Sequence, residues 1–159
     1  MTIKKRFAFV VSLATASILL APLAVSHFND KEMAQSYRQS WFAMVASNFG
    51  PIAAMIKGDM PYDQKRVQAH ANDLSALMTL DIHRGFADGT DKGTTRAKPE
   101  IWGNKADFKE KMDNLISAVD GLDSAAQNGD KGAVAQQVGA VGKSCKGCHD
   151  DYKAKDYLY

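Results

Sequence analysis

Cysteine is scarce in this 159-residue chain: there are two, at positions 145 and 148. That excludes a scaffold stapled by several disulfides, and it excludes a structural zinc site built from two C-x-x-C pairs. Strand pattern is also missing. Nowhere do β-branched residues alternate with polar ones at period two, so the chain reads as helical. Net charge is low. The formal value is +2, and Lys4, Lys5 and Arg6 supply three positive charges, so the rest of the chain stands near −1 (2 − 3). A near-neutral domain without a basic patch is not a nucleic-acid binder. There are no internal repeats and no low-complexity segments. The one uncharged apolar run, Phe7 to Leu20, falls short of the roughly 20 residues a spanning helix needs, and Pro22 interrupts its end.

What is present begins with that run. Three basic residues, an apolar stretch and the small residues of Ala24-Val25-Ser26 compose a secretory signal peptide, with cleavage after Ser26. An uncleaved membrane anchor is the competing reading. Residues 27–159 then form one domain, long enough for a single bundle core.

The chemistry is concentrated in Cys145-Lys146-Gly147-Cys148-His149. C-x-x-C-H is the attachment signature of a c-type haem. The two thiols add across the haem vinyl groups, and the adjacent histidine offers an imidazole nitrogen to the iron. On a helix the three residues are spaced three and four apart, so they share one face. Gly147 has no side chain where the macrocycle edge must come close. A dithiol redox pair would sit early in the chain, after a strand. A disulfide in an oxidising compartment would leave His149 without a purpose. Haem c is attached after secretion, so the leader and the motif support each other, and together they indicate a periplasmic protein.

Four helices are expected. The first is capped by Asn29 or Asp30 and carries Tyr37, Trp41, Met44, Val45, Asn48 to Phe49, Ile52, Met55 and Ile56 at helical spacing; Gly50-Pro51 should kink it or split off its last turns, and Gly58 stops it. The second opens at Pro61-Tyr62-Asp63, has its stripe at Val67, Ala71, Leu74, Leu77 and Met78, and runs to about Arg84, with Gly85 as terminator. Residues 86–103 form a connection long enough to cover something functional, such as a haem edge. The third helix starts with Asn104 as N-cap and carries Phe108, Met112, Leu115, Val119 and Leu122. The last follows Asn128-Gly129-Asp130. Its stripe passes from Val134, Val138 and Val141 into Cys145, Cys148, His149 and Tyr152, which places a haem inside the core towards one end.

With C-x-x-C-H near the C-terminus, the chain resembles cytochrome c′, the class II c-type cytochromes. The likeness extends to Tyr37-Arg38-Gln39-Ser40, Ala46-Ser47-Asn48-Phe49-Gly50, Lys57-Gly58, Pro61-Tyr62-Asp63 and Pro99-Glu100-Ile101-Trp102. The resemblance implies an all-α, antiparallel up-down-up-down four-helix bundle with one covalent haem c. It implies that Arg38 and Gln39 meet the haem propionates, a pairing suited to a guanidinium, against a solvated pair as the plain alternative. It implies that Phe42, one turn after Arg38, closes the distal face, with Phe86 as a second distal aromatic, against both being ordinary core. Lys153, four residues after His149, would lie beside the proximal histidine or in solvent. Arg96 or Thr95 would approach the haem edge, and Trp102 would pack the third helix against it.

The implied function is a high-spin, five-coordinate haem that binds nitric oxide or carbon monoxide and cycles between Fe(III) and Fe(II) with periplasmic redox proteins. A homodimer through the first two helices is implied as well, with an apolar patch around Trp41. The alternative is a low-spin, six-coordinate electron carrier. Met44 is turned about 200° from Phe42 around the helix, Met33, Met55 and Met78 read as core filler, and His70 and His83 are the remaining candidate ligands. Catalytic turnover is disfavoured, because Phe42 and Phe86 offer no distal acid or base.

Overall fold

The computed structural model describes residues 30–158, with side chains from Met33 onward. The expected leader and the Asn29 cap lie outside these residues. Five α-helices follow in order: α1 (Asp30–Lys57), α2 (Gln64–Met78), the one-turn α3 (Glu100–Gly103), α4 (Lys105–Gln127) and α5 (Lys131–Tyr152). The four long ones form an antiparallel bundle. α2 packs on both α1 and α4, α4 packs most extensively on α5, and α5 returns to α1 along the loosest seam of the four. No strand occurs among the described residues, only one antiparallel bridge, Ala97 with Lys153.

Most of the stripe that each periodicity marks is buried, but Met44 of α1 and His149 of α5 are exposed and Val138 is half-buried. α2 buries Val67, Ala71, Leu74 and Met78. α4 buries Phe108, Met112, Leu115, Val119 and Leu122. The helix ends follow local chemistry. Asp63 accepts from the Arg66 amide at 3.1 Å and Asp130 from the Ala133 amide at 3.0 Å, each satisfying a donor that the first turn leaves open. Gly58 takes φ +89°, a left-handed conformation that lets the chain leave α1 without a Cβ penalty.

Several expectations are corrected. α1 is not split at Gly50-Pro51; it is helical through Pro51 to Lys57. Proline removes one backbone donor there, while Ser47 and Asn48 bond back to the carbonyls of Ala43 (2.8 Å) and Met44 (3.0 Å). α2 does not reach Arg84. It ends at Met78, where the Thr79 hydroxyl caps the Ala76 carbonyl at 2.8 Å. Asp81 then accepts from the His83 amide at 3.0 Å and starts a separate 3₁₀ turn, Ile82–Phe86, that contains Gly85. Asn104 stands at the N-cap position of α4 but its side chain makes no capping bond. Met33 is exposed, not core, whereas Met55 and Met78 are buried. Trp41 is 1 % exposed and donates through Nε1 to the Leu77 carbonyl at 3.0 Å, so it belongs to this chain's own core and not to an outer patch.

Candidate haem site

The end of α5 presents Cys145 and Cys148 as free, half-buried thiols packed against the core. Burial pushes both thiols up, Cys148 to about 11, with the Lys111 ammonium working the other way. His149, directly after Cys148, is exposed. Burial of part of its ring, and then the charges of Lys153 and Arg96, lower its proton affinity, and Asp150 opposes them.

Arg38 approaches from α1. It is 3 % exposed, and burial lowers its pKa. Its Nη1 donates to the Gly85 carbonyl (2.6 Å), the Thr90 carbonyl (3.0 Å) and the Thr90 hydroxyl (3.2 Å), while Nη2 makes a long 3.5 Å contact with the Thr95 hydroxyl. The guanidinium lies over the rings of Phe86 and Trp102, 5.2 and 5.5 Å from their centroids. Every direct acceptor is neutral. A buried cation without a carboxylate in contact is costly, and the nearest negative charge acting on it is that of Asp91. Beside it, Gln39 donates to the Thr94 carbonyl at 2.9 Å.

The remaining walls are aromatic. Phe86 packs on Phe108 (4.7 Å between centroids) and on Trp102 (5.8 Å), and Phe108 meets Tyr152 edge-on at 5.5 Å. A cavity of about 370 Å³ opens beside this cluster, lined by His83, Phe86, Ile101, Lys105 and Phe108 among others. Phe42, half-buried, stands edge-on to Trp41 at 4.9 Å. Tyr152 donates to Asp107, and Lys111 links Asp107 (3.8 Å) with Asp151 (2.8 Å) next to Cys148.

A family model for cytochrome c′ matches residues 33–153, nearly all of the described chain. The chain belongs to the cytochrome c′ family. The cytochrome c′ of Rubrivivax gelatinosus is 43 % identical over 120 residues, 75 % of this chain and 92 % of that protein. Among solved structures, cytochrome c prime from Shewanella frigidimarina superposes with a TM-score of 0.76 at 40 % identity, covering 81 % of this chain and 100 % of that one. A nitric oxide complex of a variant of cytochrome c prime from Alcaligenes xylosoxidans superposes with a TM-score of 0.73 at 38 % identity, covering 82 % and 100 %. Cytochromes c′ hold haem c covalently through cysteines, and this chain has one pair to offer.

The residues fit that cofactor. Two free thiols at helical spacing can form thioethers, an imidazole follows on the same helix, and a buried guanidinium without an acid partner suits a propionate carboxylate. Arg38, Phe86, Cys145, Cys148 and His149 belong to the α1–α5 end that the sequence pattern indicates. Arg96 is tied to the chain's tail: its Nε donates to the Ala154 carbonyl at 2.9 Å and its Nη2 to the Lys155 carbonyl. Lys153 caps the end of α5, its amide donating to the His149 carbonyl at 3.2 Å. Trp102 donates to the Ala87 carbonyl at 2.9 Å and so ties α3 to the start of the long connection. Sequence reasoning missed Thr90 as an acceptor for Arg38 and missed Lys111 as the cation beside Cys148. The available signal for the first was threonine, at positions 90 and 95, in a Gly-rich connection; the structure buries both. The second is a contact between helices that no local pattern carries.

Proposed function

We propose that this cytochrome c′ is a periplasmic gas-binding and electron-transferring haem protein with one open axial position, and not an enzyme. Cys145 and Cys148 would form the thioethers and His149 would ligate the iron. Arg38 and Gln39 would hold the propionates, and Phe42 would be the apolar residue that limits access to the iron. When bound, haem c supplies an iron that takes up nitric oxide or carbon monoxide and exchanges electrons between Fe(III) and Fe(II). Phe42 has no atom that ligates iron, and its ring filters what can enter by size. The Phe86, Trp102 and Phe108 rings keep water from the macrocycle. Arg38 orients the group by charge, because a guanidinium already desolvated gains most from a carboxylate.

What supports the open position is how the candidate sixth ligands weighed from the sequence are placed among the described residues. Met44 is 42 % exposed and points away from the core. His70 is engaged with Asn48 at 3.1 Å, and His83 packs edge-on to Phe108 at 6.0 Å. Export rests on the leader pattern of residues 1–26, and a protein with that leader matures with residue 27 first. The nitric oxide complex of the Alcaligenes relative supports the choice of ligand.

The test is the optical spectrum of the purified haem form, ferric and ferrous, with and without carbon monoxide or nitric oxide. A broad, unsplit ferrous band and a Soret shift on adding gas are expected. Sharp, split α and β bands with no carbon monoxide response would mean that a side chain fills the sixth position, and the six-coordinate electron carrier would replace this reading.

A further inference from the structure

Residues 95–98 do more than connect. Ala97 pairs with Lys153 in the antiparallel bridge. On either side of it the Lys98 amide donates to the Tyr152 carbonyl at 3.0 Å and the Ala154 amide to the Arg96 carbonyl at 2.8 Å. Further out, the Leu158 amide reaches the Thr95 carbonyl at 3.0 Å. Lys98 Nζ donates to the carbonyls of Asp150 (3.3 Å) and Asp151 (2.9 Å), which the end of α5 leaves without helical donors. Arg96 closes the ribbon by holding two successive tail carbonyls, those of Ala154 and Lys155. A planar guanidinium fork can do this, where an ammonium acts as a single point.

The same segment is tied to α1. Thr95 is 3 % exposed, and its hydroxyl accepts from the Ala97 amide at 3.1 Å while facing Arg38 Nη2. Four residues therefore join the buried arginine of the first helix to the backbone that directly follows His149. If residues 154–155 came loose, the ribbon would be held against α5 only through Ala97 and Lys98, and the last turn, with the carbonyl cap that Lys98 supplies, would fray more readily.

We propose that Arg96 is a positioning residue of the haem site: by latching residues 154–155 onto residues 95–98 it fixes the end of α5, and with it the orientation of the His149 imidazole. The inference rests on ligation by His149.

The test uses the haem-loaded protein, its Arg96→Ala and Arg96→Lys variants, and a chain that ends at Lys153. Two quantities are read: amide hydrogen exchange, and the iron–histidine stretching band of the ferrous form by resonance Raman. In Arg96→Ala the Ala154 and Leu158 amides exchange about tenfold faster, the scale of one lost net hydrogen bond or so, and the iron–histidine band shifts and broadens. The shortened chain, which keeps Arg96 and removes mostly exposed residues, gives the same band change and carries the test should Arg96→Ala fold poorly. Arg96→Lys falls between. Core amides of α2 and α4 keep their protection, which separates a latch from general loosening.

A freed tail with an unmoved band would overturn the proposal, and so would tail amides that keep their protection in Arg96→Ala. Absence of any iron–histidine band in the unaltered protein would remove ligation by His149 and the latch with it, whereas an unmoved band in the variants alone removes only the latch.

Discussion

The two ends of the bundle are closed by different forces. Where α2, α4 and α5 meet, Val67, Leu74, Val119, Leu122, Val134 and Val141 are all fully buried. That end is held by apolar burial and close packing, and nothing polar is needed to specify it. At the α1–α5 end the polar groups Arg38, Thr90 and Thr95 are buried alongside Phe86, Phe108 and Tyr152, and the apolar groups Phe42, Trp102, Cys145 and Cys148 are only half covered. One guanidinium, bonded to the Gly85 and Thr90 carbonyls, holds that end together. The first end supplies stability to the fold. The second is a polar frame among half-covered apolar groups, which suits a flat apolar group with carboxylate arms.

If that division is right, Leu122→Ala gives the largest loss of stability, about 2–5 kcal/mol by urea denaturation, because it empties a fully buried position. The haem spectrum stays unchanged, since the packed end does not touch the site. A spectral change in Leu122→Ala would break the comparison. Arg38→Met comes next. It leaves the Gly85 and Thr90 carbonyls without their donor and costs about 1–3 kcal/mol. Unlike Leu122→Ala it also lowers haem retention, measured as the Soret-to-protein absorbance ratio after purification.

Tyr152→Phe sharpens the boundary between the ends, because Tyr152 touches both Phe108 and the Asp107–Lys111 pair. Burial, and then the bond to Asp107, push its phenol from about 10 up to about 12. The folded form holds the neutral phenol, so this contribution is complete below about pH 10 and is lost as pH rises through about 12. The denaturation midpoint should fall across that window, and Tyr152→Phe should flatten the fall while costing about 1 kcal/mol near neutrality.

The packed end was almost fully legible in the sequence, because a helical stripe such as Val67, Ala71, Leu74 and Met78 states its own burial. The haem motif was legible for the same reason: its three residues share one helix. What failed was of two kinds. Local competition was misread after Met78, where Thr79 and Asp81 cap and restart the chain through short side chain–backbone bonds that period counting ignores. Long-range pairing was invisible. Arg96 meets a tail more than fifty residues away through backbone carbonyls, which every residue possesses and no side-chain pattern encodes. Arg96 was expected near a haem edge, and nothing in its sequence neighbourhood named the tail carbonyls as its partners. Trp41 illustrates the reverse case. Its spacing announced a core position, and an apolar residue was nonetheless credited to an outer face that it does not occupy.

That burial of Trp41 has an optical consequence. The chain has two tryptophans, Trp41 and Trp102. One lies within the bundle, and the other packs on the Phe86 ring beside Arg38. Haem absorbs where indole emits, and a four-helix bundle is thin, so both fluorophores are dark while the cofactor is in place and the helices are closed. Emission returns when the bundle opens. The protein therefore carries its own unfolding gauge, readable without any added label.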